Sequence, residues 1–149
     1  MPDELPSPPS SQPQIKLPSI LVIDDDDLFR EALAKVLIAW GFTVTQAADG
    51  VQGVKLFEVE PADLVLTEIV LPNQDGITTV KELRRAHPDV GIIAMSGKLA
   101  VDPDLYLKIA AAFGANRTLK KPFDLSALQT VIEEVLAESG ETSPPCNRP

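Results

Sequence analysis

Cysteine, aromatic residues, positive charge and long apolar runs are all scarce in this 149-residue chain, and each scarcity closes off a class of function. The only cysteine is Cys146, so no intrachain disulfide can form, and a reducing, cytoplasmic setting is expected. Aromatics make up 5% of the residues, which predicts a core of Leu, Val, Ile and Ala. Thirteen Lys and Arg stand against twenty-two Asp and Glu, a formal charge of −9, and no basic run exceeds two residues. Such a balance repels a phosphate backbone, so no nucleic-acid partner is expected. The N-terminal stretch lacks the apolar segment of a signal peptide, and no later run reaches membrane-spanning length, so no membrane partner is expected either.

What is present is a middle segment rich in alternating patterns between two poor ones. Residues 1–18 hold six of the fourteen prolines, with Ser and Gln between them, and read as a disordered arm. Residues 138–149 read as a second loose tail, which leaves 19–137 as the folded part. About a dozen residues after the last helix are expected to be too few for a further folded module.

Within 19–137 strand-like and helix-like patterns alternate. Ser19–Ile23 is a nearly continuous apolar run, as expected of a strand buried on both faces. Leu28, Phe29, Ala32, Leu33, Val36, Leu37 and Trp40 then recur at helical spacing, with Asp26 or Asp27 as cap and Gly41 as stop. Further strands are expected at 42–47, 63–68, 91–95 and 117–119. Helices are expected after Asp49, from Ile77 to Ala86, after Asp102-Pro103 and after Asp124. Five strands alternating with five helices imply an α/β domain, a mostly parallel sheet covered on both faces.

In such a sheet chemistry gathers beyond the carboxyl ends of the strands. Asp24, Asp25, Glu68, Ser96 and Lys121 are expected there: three carboxylates, a hydroxyl and an ammonium. Like charges at close range are costly unless a cation joins them, and hard divalent ions prefer oxygen ligands. Mg²⁺ together with Lys121 would neutralise the cluster and leave room for a phosphoryl group. Other charged residues have simpler readings: Asp26 and Asp27 as first-turn charges, His87 as a solvated loop residue, and Thr67 on the opposite side of the sheet from Glu68.

The motifs ILVIDDDD, LVLTEIVLPNQDG, AMSG and GANRTLKKPF, in this order, resemble the receiver domain of two-component response regulators across residues 19–137. The resemblance implies a flavodoxin-like sheet of order 2-1-3-4-5. It implies that Asp24 and Asp25 hold Mg²⁺, Asp25 directly and Asp24 through water, with the Val70 carbonyl as a further ligand. Ser96 would sense a phosphoryl group and Lys121 would pair with it, the Lys121–Pro122 bond being cis. It implies a histidine kinase, a phosphotransfer protein or a downstream protein as partner, met on the face of the fourth helix, fifth strand and last helix, with the chain a monomer or weak dimer.

Two positions depart from the family pattern. The phosphoacceptor position, normally Asp, holds Glu68, and the aromatic switch position holds Thr118. One extra methylene moves the carboxylate by about 1–1.5 Å. A misplacement near 1 Å costs about 10²-fold where catalysis is mostly positioning. Glu68 is therefore expected to be a poor or dead acceptor, with weakened Mg²⁺ binding, or to mimic the phosphorylated residue in part. The alternatives are a degenerate receiver that binds partners regardless of phosphate and, from another class, a Mg²⁺-dependent haloacid-dehalogenase-type phosphatase. The latter rests on Asp24-x-Asp26 and lacks a cap insertion.

Overall fold

Buried carboxylates need a rigid frame to hold them, and here that frame is a parallel sheet. The computed structural model describes residues 17–97 and 102–138; the expected arm and tail lie mainly outside these. In chain order the elements are β1 (Ser19–Ile23), α1 (Asp27–Ala39), β2 (Thr43–Ala47), α2 (Gly50–Val59) and β3 (Leu64–Glu68). They continue with α3 (Gly76–Ala86), β4 (Gly91–Ser96), α4 (Pro103–Ala112), β5 (Arg117–Lys120) and α5 (Leu125–Glu138). The five strands are parallel in the order β2-β1-β3-β4-β5.

The central strands are largely apolar because both of their faces are covered, with polar residues at their ends. Leu21, Ile23, Val65, Ile92 and Ala94 meet Phe57 of α2, Val80 and Leu83 of α3, and Leu107 and Ala110 of α4. Ile20, Val22, Leu64, Leu66, Ile93 and Met95 meet Leu33 and Leu37 of α1 and Leu128, Ile132 and Val135 of α5. Each fully buried aliphatic side chain contributes about 1.5–3 kcal/mol.

All five helices start on an aspartate. Asp26, Asp49, Asp75 and Asp102 each accept the backbone N–H three residues on, and Asp124 Oδ1 accepts that of Ala127. A share of the negative charge thus satisfies helix N-termini and is structural. At the sheet margin, Pro18 O, just before β1, accepts from Thr43 N at 3.0 Å, and Glu138 closes α5. His87 is half-buried with its ring 4.5 Å from that of Phe57, packed where a solvated residue was expected.

Candidate functional site

Glu68 is the last residue of β3 and continues the parity of Leu64 and Leu66, so its side chain leaves the sheet on the α1/α5 side. Asp24 follows Ile23 on the adjacent strand, and its N–H is tied to Ala47 O at 3.1 Å. Both carboxylates are fully buried. Lys121, one residue past β5, is 13% exposed and lies between them, its Nζ 2.7 Å from Asp24 Oδ2 and 2.7 Å from Glu68 Oε1. The Asp24 contact is a directed hydrogen bond. The Glu68 contact is an ion pair whose alignment falls outside hydrogen-bond geometry.

The remaining carboxylate oxygens are met by backbone. Asp24 Oδ1 accepts from Asp26 N at 2.9 Å, and Glu68 Oε2 accepts from Ile69 N at 3.1 Å and Val70 N at 3.0 Å. Glu68 is thus folded back over the two N–H groups that follow it. The loop after β3 supports this turn: Gly76 N donates to Ile69 O at 2.7 Å, and a Cβ on Gly76 would sit 2.3 Å from Glu68 O. Only glycine allows that approach. Asn73, with φ of 68°, reaches Asp49 Oδ2 at 3.0 Å and clasps the loop to the start of α2. The Gln52 N–H, foremost, and the Asn73 amide hold the Asp49 carboxyl below the usual carboxylate range.

Lys121 is seated from several directions. Its N–H donates to Ser96 O at 2.8 Å, and its bond to Pro122 is cis. The Phe29 ring lies 4.0 Å from the ammonium, and Phe123 meets Phe29 edge-on at 6.2 Å. Phe29, expected among core residues of α1, is half-buried at the mouth and caps the cation.

Of the residues expected at this site, Asp24, Glu68 and Lys121 come together. Ser96 adjoins through its carbonyl, while its buried hydroxyl has no hydrogen-bond partner. Asp25 is exposed at the rim. Val70 enters through its N–H. Thr118 lies half-buried on β5 beside Ala94.

The donor set suits a hard divalent ion in its chemistry, as the resemblance implies, but not in its arrangement. Both oxygens of Asp24 and Oε2 of Glu68 accept hydrogen bonds, Glu68 Oε1 accepts none but lies 2.7 Å from the Lys121 ammonium, and among the described residues no three acidic side chains gather as a metal-holding group. The residues as placed do not fit Mg²⁺.

Arg84 in the last turn of α3 went unread in the sequence. Its Nε and Nη2 donate to Gly114 O at 3.1 and 2.9 Å, Nη2 also to Asn116 Oδ1 at 2.8 Å, and Nη1 to Pro88 O at 2.7 Å. Burial pushes this guanidinium down from its ordinary value.

Known proteins resemble the chain throughout this region. The family pattern described as response regulator receiver domain matches residues 20–133. The sensor kinase CckA of Brucella abortus is 35% identical over 120 residues, which is 79% of this chain and 12% of that protein. The transcriptional regulatory protein CseB of Streptomyces avermitilis is 34% identical over 130 residues, 87% of this chain and 54% of that protein. The chain thus spans about half or less of these relatives. A CheY-like receiver domain protein from Methanospirillum hungatei superposes with a TM-score of 0.75 at 26% identity, covering 83% of this chain and 97% of that one. A response regulator from Chloroflexus aurantiacus gives 0.73 at 28%, over 82% and 99%. No helix among the described residues is long and apolar enough to cross a membrane.

Proposed function

The chain belongs to the response regulator receiver domain family of two-component signalling, and from that premise we propose that it is a receiver fixed by Glu68, signalling by protein contact without a phosphorylation cycle. The observation that carries this reading is the clamp on Glu68. At the position that the resemblance assigns to the phosphoacceptor, its carboxylate is paired with Lys121 through one oxygen and held by two N–H groups on the other. An acceptor must offer an oxygen in line with a phosphodonor, and here Oε2 is turned back onto two N–H groups while Oε1, which accepts no hydrogen bond, faces the Lys121 ammonium. The same clamp places a negative group on Lys121, as a phosphoryl group would, with about one charge against nearly two.

The partner on this reading is a histidine kinase, a phosphotransfer protein or a downstream protein. The surface offered is that of α4, β5 and α5, where Leu105 and Tyr106 are exposed beside the Lys120–Asp104 pair. Thr118 at the switch position supports a readout that does not depend on a moving ring.

Native protein and Glu68→Asp, each incubated with Mg²⁺ and a small acyl phosphate, are to be compared by intact mass. An adduct on the variant alone, mapped to position 68, is the expected result. An adduct on native Glu68 would overturn the reading and restore a working switch. Adducts on neither would favour a phosphate-independent binding module instead.

A further inference from the structure

We propose that the Lys121 ammonium is the resident cation of this acidic mouth, seated between Asp24 and Glu68 so that the site takes no divalent metal. The inference rests on the reading of Glu68 as a clamped carboxylate, though not on how the protein signals.

An ammonium is a compact charge with three N–H donors, and three electron-rich groups surround this one. They are Asp24 Oδ2 and Glu68 Oε1, each at 2.7 Å, and the π face of Phe29 at 4.0 Å. Two buried carboxylates and one ammonium leave one negative charge uncompensated. The N–H groups of Asp26, Ile69 and Val70 point at that excess, and such charge-assisted bonds disperse it without a second cation.

A magnesium ion demands near-octahedral oxygen ligation at about 2.0–2.1 Å and gives up its waters reluctantly. To recruit Glu68 it must either break the two backbone bonds to Oε2 or share Oε1 with an ammonium 2.7 Å away, whose positive charge repels it. To recruit Asp24 it must displace Asp26 N–H or Lys121. Lys121 is anchored at its backbone by Ser96 O, and its ammonium can leave only by giving up both carboxylates and the Phe29 face. The length of Glu68 is what closes the arrangement. A side chain one methylene shorter would hold its carboxylate about 1–1.5 Å farther from the ammonium, which reopens room for a metal.

The probe is Mn²⁺ alone, added to the full chain while amide NMR signals around Asp24–Asp26 and Glu68–Val70 are followed for paramagnetic broadening. Native protein, Glu68→Asp and Lys121→Met are compared. The expected result is broadening at these amides in Glu68→Asp at tenfold or more lower Mn²⁺ than in the native chain. Broadening of the native chain at the same concentration as Glu68→Asp would overturn the proposal. If neither of these two responds, Lys121→Met decides: a gained response supports the lysine as resident cation, and none overturns it. Should Lys121→Met not fold, the Lys121 ammonium signal of the native protein decides in its place. Persistence of that signal through a Mg²⁺ titration supports the proposal, and its loss overturns it. A native chain that binds Mn²⁺ yet takes no phosphoryl group defeats this inference and leaves the proposed function standing. A phosphoryl adduct on native Glu68 with no Mn²⁺ response does the reverse.

Discussion

Replacing Lys121 by Met keeps much of the side chain's length and apolar stem and removes only the charge that two buried carboxylates share. Asp24 and Glu68 are fully buried and Lys121 is 13% exposed, so water cannot take over the ammonium's role. Removing one partner of a buried pair costs about 3–5 kcal/mol, and the slight exposure of Lys121 argues for the lower end, about 3 kcal/mol. Loss of the cation–π contact with Phe29 adds about 0.5–1 kcal/mol. A domain of this size has about 5–15 kcal/mol in all, so the variant should fold with a thin margin. At a urea slope of about 1.5 kcal/mol/M the midpoint should fall by roughly 2.5 M. Equilibrium unfolding followed by far-UV circular dichroism, with EDTA present, measures it. Glu68→Gln added to Lys121→Met removes one of the orphaned charges and should restore about 1–3 kcal/mol through the coupling of the pair. A loss below about 1 kcal/mol for Lys121→Met, or no recovery in the double variant, would refute the clamp as the main electrostatic tie of the strand ends.

Arg84→Lys should lose about 1.5–3 kcal/mol, because an ammonium cannot reproduce the fork that reaches Gly114 O, Asn116 Oδ1 and Pro88 O together; a urea midpoint within experimental error of native would contradict this. Asp49→Asn keeps a capping oxygen but removes the charge at the start of α2, an effect of about 0.3–1 kcal/mol. The Asp49 carboxyl is held below its unfolded value, chiefly by the Gln52 N–H, so its contribution is present above about pH 4 and fades as pH falls through the lower folded value. The stability gap between native and Asp49→Asn should therefore be constant from about pH 5 to 8 and close below about pH 4; a gap that widens in acid would reverse the sign.

Strands buried on both faces write themselves as apolar runs, which is why Ser19–Ile23 and the stretches around Leu64–Leu66 and Ile92–Met95 were legible within a residue or so. The convergence of Asp24, Glu68 and Lys121 was legible for a related reason, since strand ends of a parallel sheet share one rim. What a pattern does not carry is reach. That Lys121 spans both buried acids is not written in the spacing, and the fold-back of Glu68 onto Ile69 and Val70 depends on a turn that no periodicity reports. Phe29 shows the same limit. Helical spacing assigns it to the face of α1 that turns inward, but its place in the first turn sets it level with the rim, over an ammonium. Arg84 left no local sign at all, because its main acceptor, Gly114, lies thirty residues on.

The guanidinium of Arg84 also sets how α4 can move. Gly114 lies two residues past the last turn of that helix, and its carbonyl is gripped by two donors from α3. At the other end α4 is secured among the described residues by the Asp102 cap and an exposed Lys120–Asp104 pair, ties that are worth little in water. A rod pinned at its tail and lightly held at its head swings; it does not slide. Any rearrangement of α4 should sweep Leu105 and Tyr106 through the widest arc and leave Ala112 nearly still, an asymmetry that amide exchange along the helix would register as protection rising toward the Arg84 end.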